Sequence, residues 1–519
     1  MRTSNRTALV QCKVGPRVTM LLMVLLAGLG SSLRAHAQQQ HALEAETVKP
    51  DPTKNLGQWE GWGSSLAWWA RAIGGTANAD YYADLIYTTK STDGYPGLGL
   101  NIVRYNVGGG GVDQPQENKG PKIQWQMAIN GYWTDSNNSD PASWSWSVDQ
   151  NQRSMMQKAR ERGANLFEMF SDSPMWWMNL NRSTAGSNMG GDCLMPENRD
   201  RFAFYLASVA RHSIDHWGIK FDSVEPFNEP SADWWKYPNR QEGCHFDVAT
   251  QQKLVQSLRQ ALDRAHLEDV AVAAADENNM DAGLSTWKAY DSATRGLIGL
   301  VNVHGYANGT EPYHGPNRVE LRHAVGNKRL WQSEYGDGDA SGYTMAQEII
   351  RDVKELQPNA WVYWQPVEPD VPEYGWGLIN ANYIDTRDQM SAEKTPLVRV
   401  NRKFYVYGQF TRYLRPGYQL IGIDEPNSIA AYDRGSHKLV IVKVTGDAPE
   451  TAQLDLSTLS VVGDTVQLIA TTTAPGAGVP DWKQHMEAVK IESRGDQKLL
   501  AVHLHPKSIY TFVIEAILR

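Results

Sequence analysis

The sequence predicts an α/β chain, a (β/α)8 TIM barrel followed by a C-terminal antiparallel β-sandwich domain. Three observations carry that expectation. Between about residues 58 and 364, eight short apolar segments alternate with helical or loop segments. After Lys403 the helical period stops, and β-branched runs such as LVIVKVTG, DTVQLIATTT and SIYTFVIEA are separated by Gly, Pro and Asp turns. The strand ends carry polar or aromatic residues that a barrel would gather at one mouth: Trp68, Arg104, Asp172, Glu229, Glu277, Tyr306, Glu334 and Trp364.

Taken in order, residues 1–37 read as a signal peptide. Arg2, Arg6, Lys13 and Arg17 precede an apolar run from Met20 to Leu29, too short to span a membrane, and Ala35-His36-Ala37 has the small-x-small cleavage pattern. Residues 38–50 form an N-terminal segment whose Leu43–Lys49 run can add a strand to the sandwich. The barrel is placed at 51–400 and the sandwich at 401–519.

The first strand, Gln58 to Trp69, opens into a glycine- and tryptophan-rich rim. The second, Leu100 to Gly108, carries Arg104 alone among apolar residues. A connection of roughly 40 residues follows, longer than loops usually are without a task. It holds Trp125, Tyr132, Trp133, Trp144 and Trp146. Helices are expected over 150–162, 198–217 (stopped by Gly218), 250–266 and 344–356, with strands at 164–170, 221–227, 270–275, 297–304, 329–333 and 360–364. No glycine-rich phosphate loop follows the first strand, as a dinucleotide fold would need.

Composition narrows the partners. The chain holds 21% charged and 41% hydrophobic residues, the balance of a globular protein. Loss of the leader removes five Lys/Arg and no Asp/Glu, moving the formal charge from −8 to −13. Such a surface repels nucleic acid and offers no polybasic membrane anchor. Export leaves two cysteines, Cys193 and Cys244, both expected in loops after barrel strands, and a disulfide between them is expected. A secreted or periplasmic location is expected, and the chain is taken as a monomer.

The chemistry sits in two strand-end carboxylates. Glu229 closes FDSVEPFNEP and Glu334 sits in RLWQSEYG. Cleavage of a glycosidic bond needs a proton for the leaving oxygen and a nucleophile or base on the opposite face of the ring, which two such carboxylates provide. Glu229 is assigned as acid/base, with Asn228 beside it to bind a sugar hydroxyl. Glu334 is assigned as nucleophile, kept ionised by Arg104 and the hydroxyl of Tyr306. His304, two residues before Tyr306, is expected as a wall histidine bonded to a carboxylate. Nineteen tryptophans against ten phenylalanines suit stacking on sugar rings. Trp364 is expected as the floor under the reacting sugar, with Trp68, Trp177 and Trp376 among the rim candidates. Glu277 is either a hydroxyl ligand or a loop anchor. No HExxH or compact His/Asp cluster argues for a metal, and two carboxylates with water need no cofactor.

These residues carry a family resemblance. EPFNEP at 225–230, WQSEYG at 331–336, HGY at 304–306, the strand-borne Arg104 and GWGSSLAWW at 61–69 resemble glycoside hydrolase family 30. GWGSSLAWWA and SPMWWM (173–178) are most similar to its endo-β-1,6-galactanase branch. The resemblance covers most of 43–519. It implies a retaining (β/α)8 hydrolase with a β-sandwich built partly from the N-terminal segment, Glu229 as acid/base and Glu334 as nucleophile. The implied substrate is a β-1,6-linked galacto-oligosaccharide or polysaccharide, such as arabinogalactan side chains, cut from within. An exo-acting β-1,6-galactobiohydrolase, a β-1,6-glucanase or xylanase of the same fold, and an inactive glycan-binding protein are the alternatives.

Overall fold

The computed structural model describes residues 46–110, 123, 125–134, 140–306, 317–370, 375–383, 397–461, 463–494 and 497–518. The leader expected over 1–37 lies outside these residues, as does part of the long connection after Gly108. Eight parallel strands close a barrel in sequence order: β1 (Gly61–Ser65), β2 (Ile102–Asn106), β3 (Leu166–Phe170), β4 (Ser223–Glu225), β5 (Ala271–Glu277), β6 (Ile298–His304), β7 (Arg329–Tyr335) and β8 (Ala360–Tyr363). Among the described residues no helix is long and apolar enough to cross a membrane.

The period of two along each strand explains the layering. Ile102, Leu300, Ala360 and Val362 close the barrel interior with apolar side chains, joined by Trp331 and Ala273. Their outward neighbours Val103, Tyr105, Val301 and Val303 join the core shared with the surrounding helices. Two residues further along β2 the inward position is Arg104, and the corresponding steps on β3 and β6 give Glu168 and Asn302. The interior thus turns from apolar to charged toward the strand C-termini. Register completes this: Arg104 lies opposite Glu168, and His304 opposite Glu334.

The expected helices form at Gln150–Glu161, Arg199–His212, Val248–Arg264 and Tyr343–Arg351. A wider turn over Ser213–Trp217 follows the second and ends at Gly218, whose φ of 66° is one that glycine adopts without steric cost.

Two boundaries differ from those drawn on the sequence. The strand Pro50–Gln58 pairs antiparallel with Gln419–Ile423, so 51–58 belong to the sandwich and the barrel begins at Gly61. The strand is the edge of its sheet, where Pro50 and Pro52 are tolerated. At the other end, residues 402–411 are helical, although their aromatic and β-branched composition reads as strand; Phe404, Tyr407 and Phe410 recur at helical spacing on a buried face.

The sandwich packs one sheet of eight strands over one of four. In the strand Lys438–Val444, Leu439 and Ile441 face the core between the sheets, while Val440, Val442 and Val444 face the core shared with Phe404, Tyr407 and Phe410. Burial on both faces accounts for the unbroken apolar run. Each such side chain contributes about 1.5–3 kcal/mol, so the two layers hold each other in place.

Candidate active site

The two glutamates meet at the C-terminal mouth. Glu229 lies four residues beyond β4 on a turn that gives it φ of 50°. Its N–H donates to Asp276 O (2.9 Å), its carbonyl accepts from Trp235 Nε1 (2.9 Å), and its Oε1 accepts from Asn278 Nδ2 (2.6 Å). A left-handed conformation at a non-glycine residue is held only where the surroundings determine it, and these three bonds do so. Glu334 follows the inward Trp331 and Ser333 of β7 directly, at a point where the pairing with both neighbouring strands shifts register. Arg104 Nη1 donates to its Oε2 at 3.1 Å and the Tyr306 hydroxyl to its Oε1 at 3.0 Å. The two residues are nearly enclosed, Glu229 7% and Glu334 4% exposed. One carboxylate oxygen of each and a His304 nitrogen all lie within 4.8 Å of one another. So close an approach of the two nearest oxygens favours a retaining pair, whose carboxyl groups stand about 5–5.5 Å apart, over an inverting one at roughly 6.5–9.5 Å.

Arg104 is the hub. Besides Glu334 it binds Glu168 Oε1 (2.9 Å) and Asp276 Oδ2 (2.6 Å), and its Cζ lies 4.2 Å over the Phe170 ring. Asp276 also accepts from Ser333 Oγ (2.6 Å). His304 sits among carboxylates, Nδ1 3.3 Å from Glu229 Oε1 and 3.5 Å from Glu334 Oε1, Nε2 3.2 Å from Asp276 Oδ1. These are ion-pair distances; neither nitrogen meets hydrogen-bond geometry.

Acids outnumber bases here, and the titration follows. Burial opposes the charged form of His304, but Glu334 and Asp276 outweigh it and raise the imidazole well above its ordinary value. Asp276 is likewise buried, yet Arg104 and His304 hold its carboxyl well below the usual range. For Glu334 burial wins over His304 and Arg104, pushing the carboxyl up to about 7. Arg104 and Tyr306 contact Glu334 as expected, but enclosure inside the barrel is the larger effect on its carboxyl. Glu225 and Asp172, behind the pair, are pushed up too, burial being the main cause in each; Asp172 reaches about 8.

The described residues line a cavity of ≈ 440 Å³ over this pair, within the range of small-ligand sites. Asn228, Tyr306, Trp68, Trp364 and Trp376 line it as the sequence suggests. Asn228 Oδ1 has no partner among the described residues, which leaves it for a ligand hydroxyl. Trp68 and Trp364 meet edge to face, 5.0 Å between ring centroids.

Other expectations are redirected. Trp177 is not in the cavity: it is 2% exposed, and its Nε1 donates to Trp133 O (3.0 Å) in the aromatic core. Trp133, Trp144 and Trp146 of the long connection stack on one another and on His212, so their faces are already occupied; Gln126 and Met127 are the residues of that stretch that line the cavity. Glu277 is a loop anchor, accepting from Ser231 Oγ (2.6 Å) and Thr286 Oγ1 (2.7 Å).

The bond expected between Cys193 and Cys244 is not formed. Both are free, buried thiols that interact with each other, and burial first, then Cys193, raise the Cys244 thiol well above its ordinary value. A protonated thiol is a poor nucleophile for disulfide formation. Sequence reasoning missed Asn278, Gln365, Glu368 and Tyr383. Gln365 follows the strand-end Trp364 directly, which was the one available signal.

Among the described residues one His/acid group has spacing a metal would accept, and it is Glu229, His304 and Glu334 themselves. Arg104 and the protonated imidazole already supply positive charge there.

A (β/α)8 barrel with a buried, arginine-braced glutamate pair in a tryptophan-walled cavity is the architecture of a glycoside hydrolase. This chain belongs to glycoside hydrolase family 30: residues 45–296 match the O-glycosyl hydrolase family 30 signature. It is 41% identical to an endo-β-1,6-galactanase of Hypocrea rufa, over 85% of this chain and 88% of that protein. An exo-β-1,6-galactobiohydrolase of Bifidobacterium longum subsp. longum is 26% identical over 81% of this chain, which spans only 36% of that longer protein. Among solved structures, a conserved exported protein from Bacteroides fragilis superposes with a TM-score of 0.71, covering 90% of this chain and 100% of that one at 18% identity; this last likeness concerns the fold.

Proposed function

We propose that this enzyme hydrolyses β-1,6-galactosidic linkages of galactan or arabinogalactan side chains, from within the chain and with retention of configuration. Glu334 attacks the anomeric carbon while Glu229 protonates the leaving oxygen. Glu229 then takes a proton from water, which releases the sugar from Glu334. The observation that carries the mechanism is the placement of the two carboxylates within 4.8 Å, with Arg104 and Tyr306 on one of them. The linkage is supported by the similarity to an endo-β-1,6-galactanase across nearly all of that protein.

The test compares β-1,6-galacto-oligosaccharides with β-1,6-gluco- and xylo-oligosaccharides, then follows products from reducing-end-labelled β-1,6-galactan. A spread of intermediate lengths at early times supports endo action. A single disaccharide, with the polymer otherwise intact, replaces it with the exo reading, which the similarity to the galactobiohydrolase supports. A polysaccharide substrate and the leader pattern together support a secreted or periplasmic enzyme, and a mature protein beginning at Gln38 in the culture fluid or periplasm is the result expected.

A further inference from the structure

Beyond β8 the chain runs Trp364-Gln365-Pro366-Val367-Glu368-Pro369 and brings to the cavity a carboxylate that the two-glutamate chemistry does not use. Glu368 lines the cavity with Trp68, Trp364, Gln365, Trp376 and Tyr383. Its position is built into the fold. The strand Val367–Pro369 pairs in parallel with Ile379–Ala381, Glu368 opposite Asn380. Gly377 packs so closely that a Cβ there would lie 2.8 Å from Glu368 Cβ. Gln365 Nε2 donates to Glu368 Oε1 at 2.7 Å, and Gln365 Oε1 accepts from the Trp68 N–H at 3.3 Å. One amide thereby ties the carboxylate to the tryptophan wall.

Glu368 is 8% exposed, and a structural carboxylate so enclosed would be expected to complete its pairing inside the protein. It does not. Gln365 occupies Oε1, Oε2 has no donor among the described residues, and Lys403, whose charge reaches it, spends its own ion pair on Asp337 (2.8 Å). Burial accordingly pushes the Glu368 carboxyl up to about 7, against the Gln365 bond and the charge of Lys403.

A pyranose offers an apolar face and a rim of hydroxyl donors. An aromatic wall takes the face, and a fixed acceptor beside it reads the hydroxyls. We propose that Glu368 accepts a hydrogen bond from a ring hydroxyl of the sugar seated on the Trp68–Trp364–Trp376 wall, and so decides which hexose the cavity takes. This rests on the glycoside hydrolase reading above.

The test pairs wild type, Glu368→Gln and Glu368→Ala with an aryl β-1,6-galactobioside and its monodeoxy analogues. Glu368→Gln keeps an oxygen for Gln365, and thermal melting checks that each variant folds. Hydrogen bonds to charged groups are worth about 10–10²-fold. Both variants are expected to raise KM by that factor with kcat little changed. The wild type is expected to lose a similar factor in kcat/KM on one deoxy analogue, a loss absent in Glu368→Ala. Unchanged KM, or an equal loss on every analogue in wild type and variants alike, overturns the proposal. If the wild type cleaves gluco- or xylo-substrates and no galacto-substrate, the linkage reading fails on its own, and the same deoxy cycle in that series still decides the role of Glu368.

Discussion

Arg104 Nη1 lies 3.1 Å from Glu334 Oε2, with the guanidinium fully buried and held on its other nitrogens by Glu168 and Asp276. The cation that braces Glu334 is thus shared among three acids. Substituting Arg104 by Met would leave those acids enclosed without it. Removing one partner of a buried ion pair costs about 3–5 kcal/mol, so Arg104→Met should show a large fall in melting temperature as well as lost activity. Unaltered melting would refute the hub assignment.

Glu334→Ala should reduce turnover far beyond the roughly 10²–10⁴-fold typical of a general acid/base, because no covalent intermediate can form. Glu229→Ala should be partly rescued by azide on a substrate with a good leaving group, giving the β-glycosyl azide. An α-azide, or NMR of an inverted first product, contradicts retention.

The pH profile follows from Glu334. Its carboxyl, raised by burial to about 7 and pulled down by His304 and Arg104, must be ionised to attack. Activity should therefore fall about tenfold per pH unit below about 7, while the alkaline limb is set by Glu229, which must carry the proton it gives to the leaving oxygen. His304→Asn removes one of the two positive charges, so the acid limb of kcat/KM should move to higher pH. A limb that stays in place assigns it to another group.

Trp364→Ala and Trp177→Ala should part company. Trp364 lines the cavity, so its loss should weaken substrate binding. Trp177 is enclosed in the aromatic core, where truncation costs about 3–5 kcal/mol, and the melting temperature should fall with KM unchanged. Binding and melting measured on both variants check this.

Much of this protein is readable one residue at a time. The change of hydrophobic period near residue 400 announces barrel and sandwich, because strands and helices bury faces at spacings of two and about 3.6. The two glutamates stand out because each ends an apolar run, and a barrel sends strand ends to one mouth. What the sequence alone determined is therefore local: strand existence, strand ends, and the carboxylates standing there. Only tertiary structure decided which groups face each other. That Arg104 serves Glu168, Asp276 and Glu334, that Trp177 is core while Trp364 is wall, and that Gln365 and Glu368 enter the cavity all depend on cross-strand register and barrel closure. So does the rise of the Glu334 carboxyl, since burial is a property of the packed barrel and of no single segment.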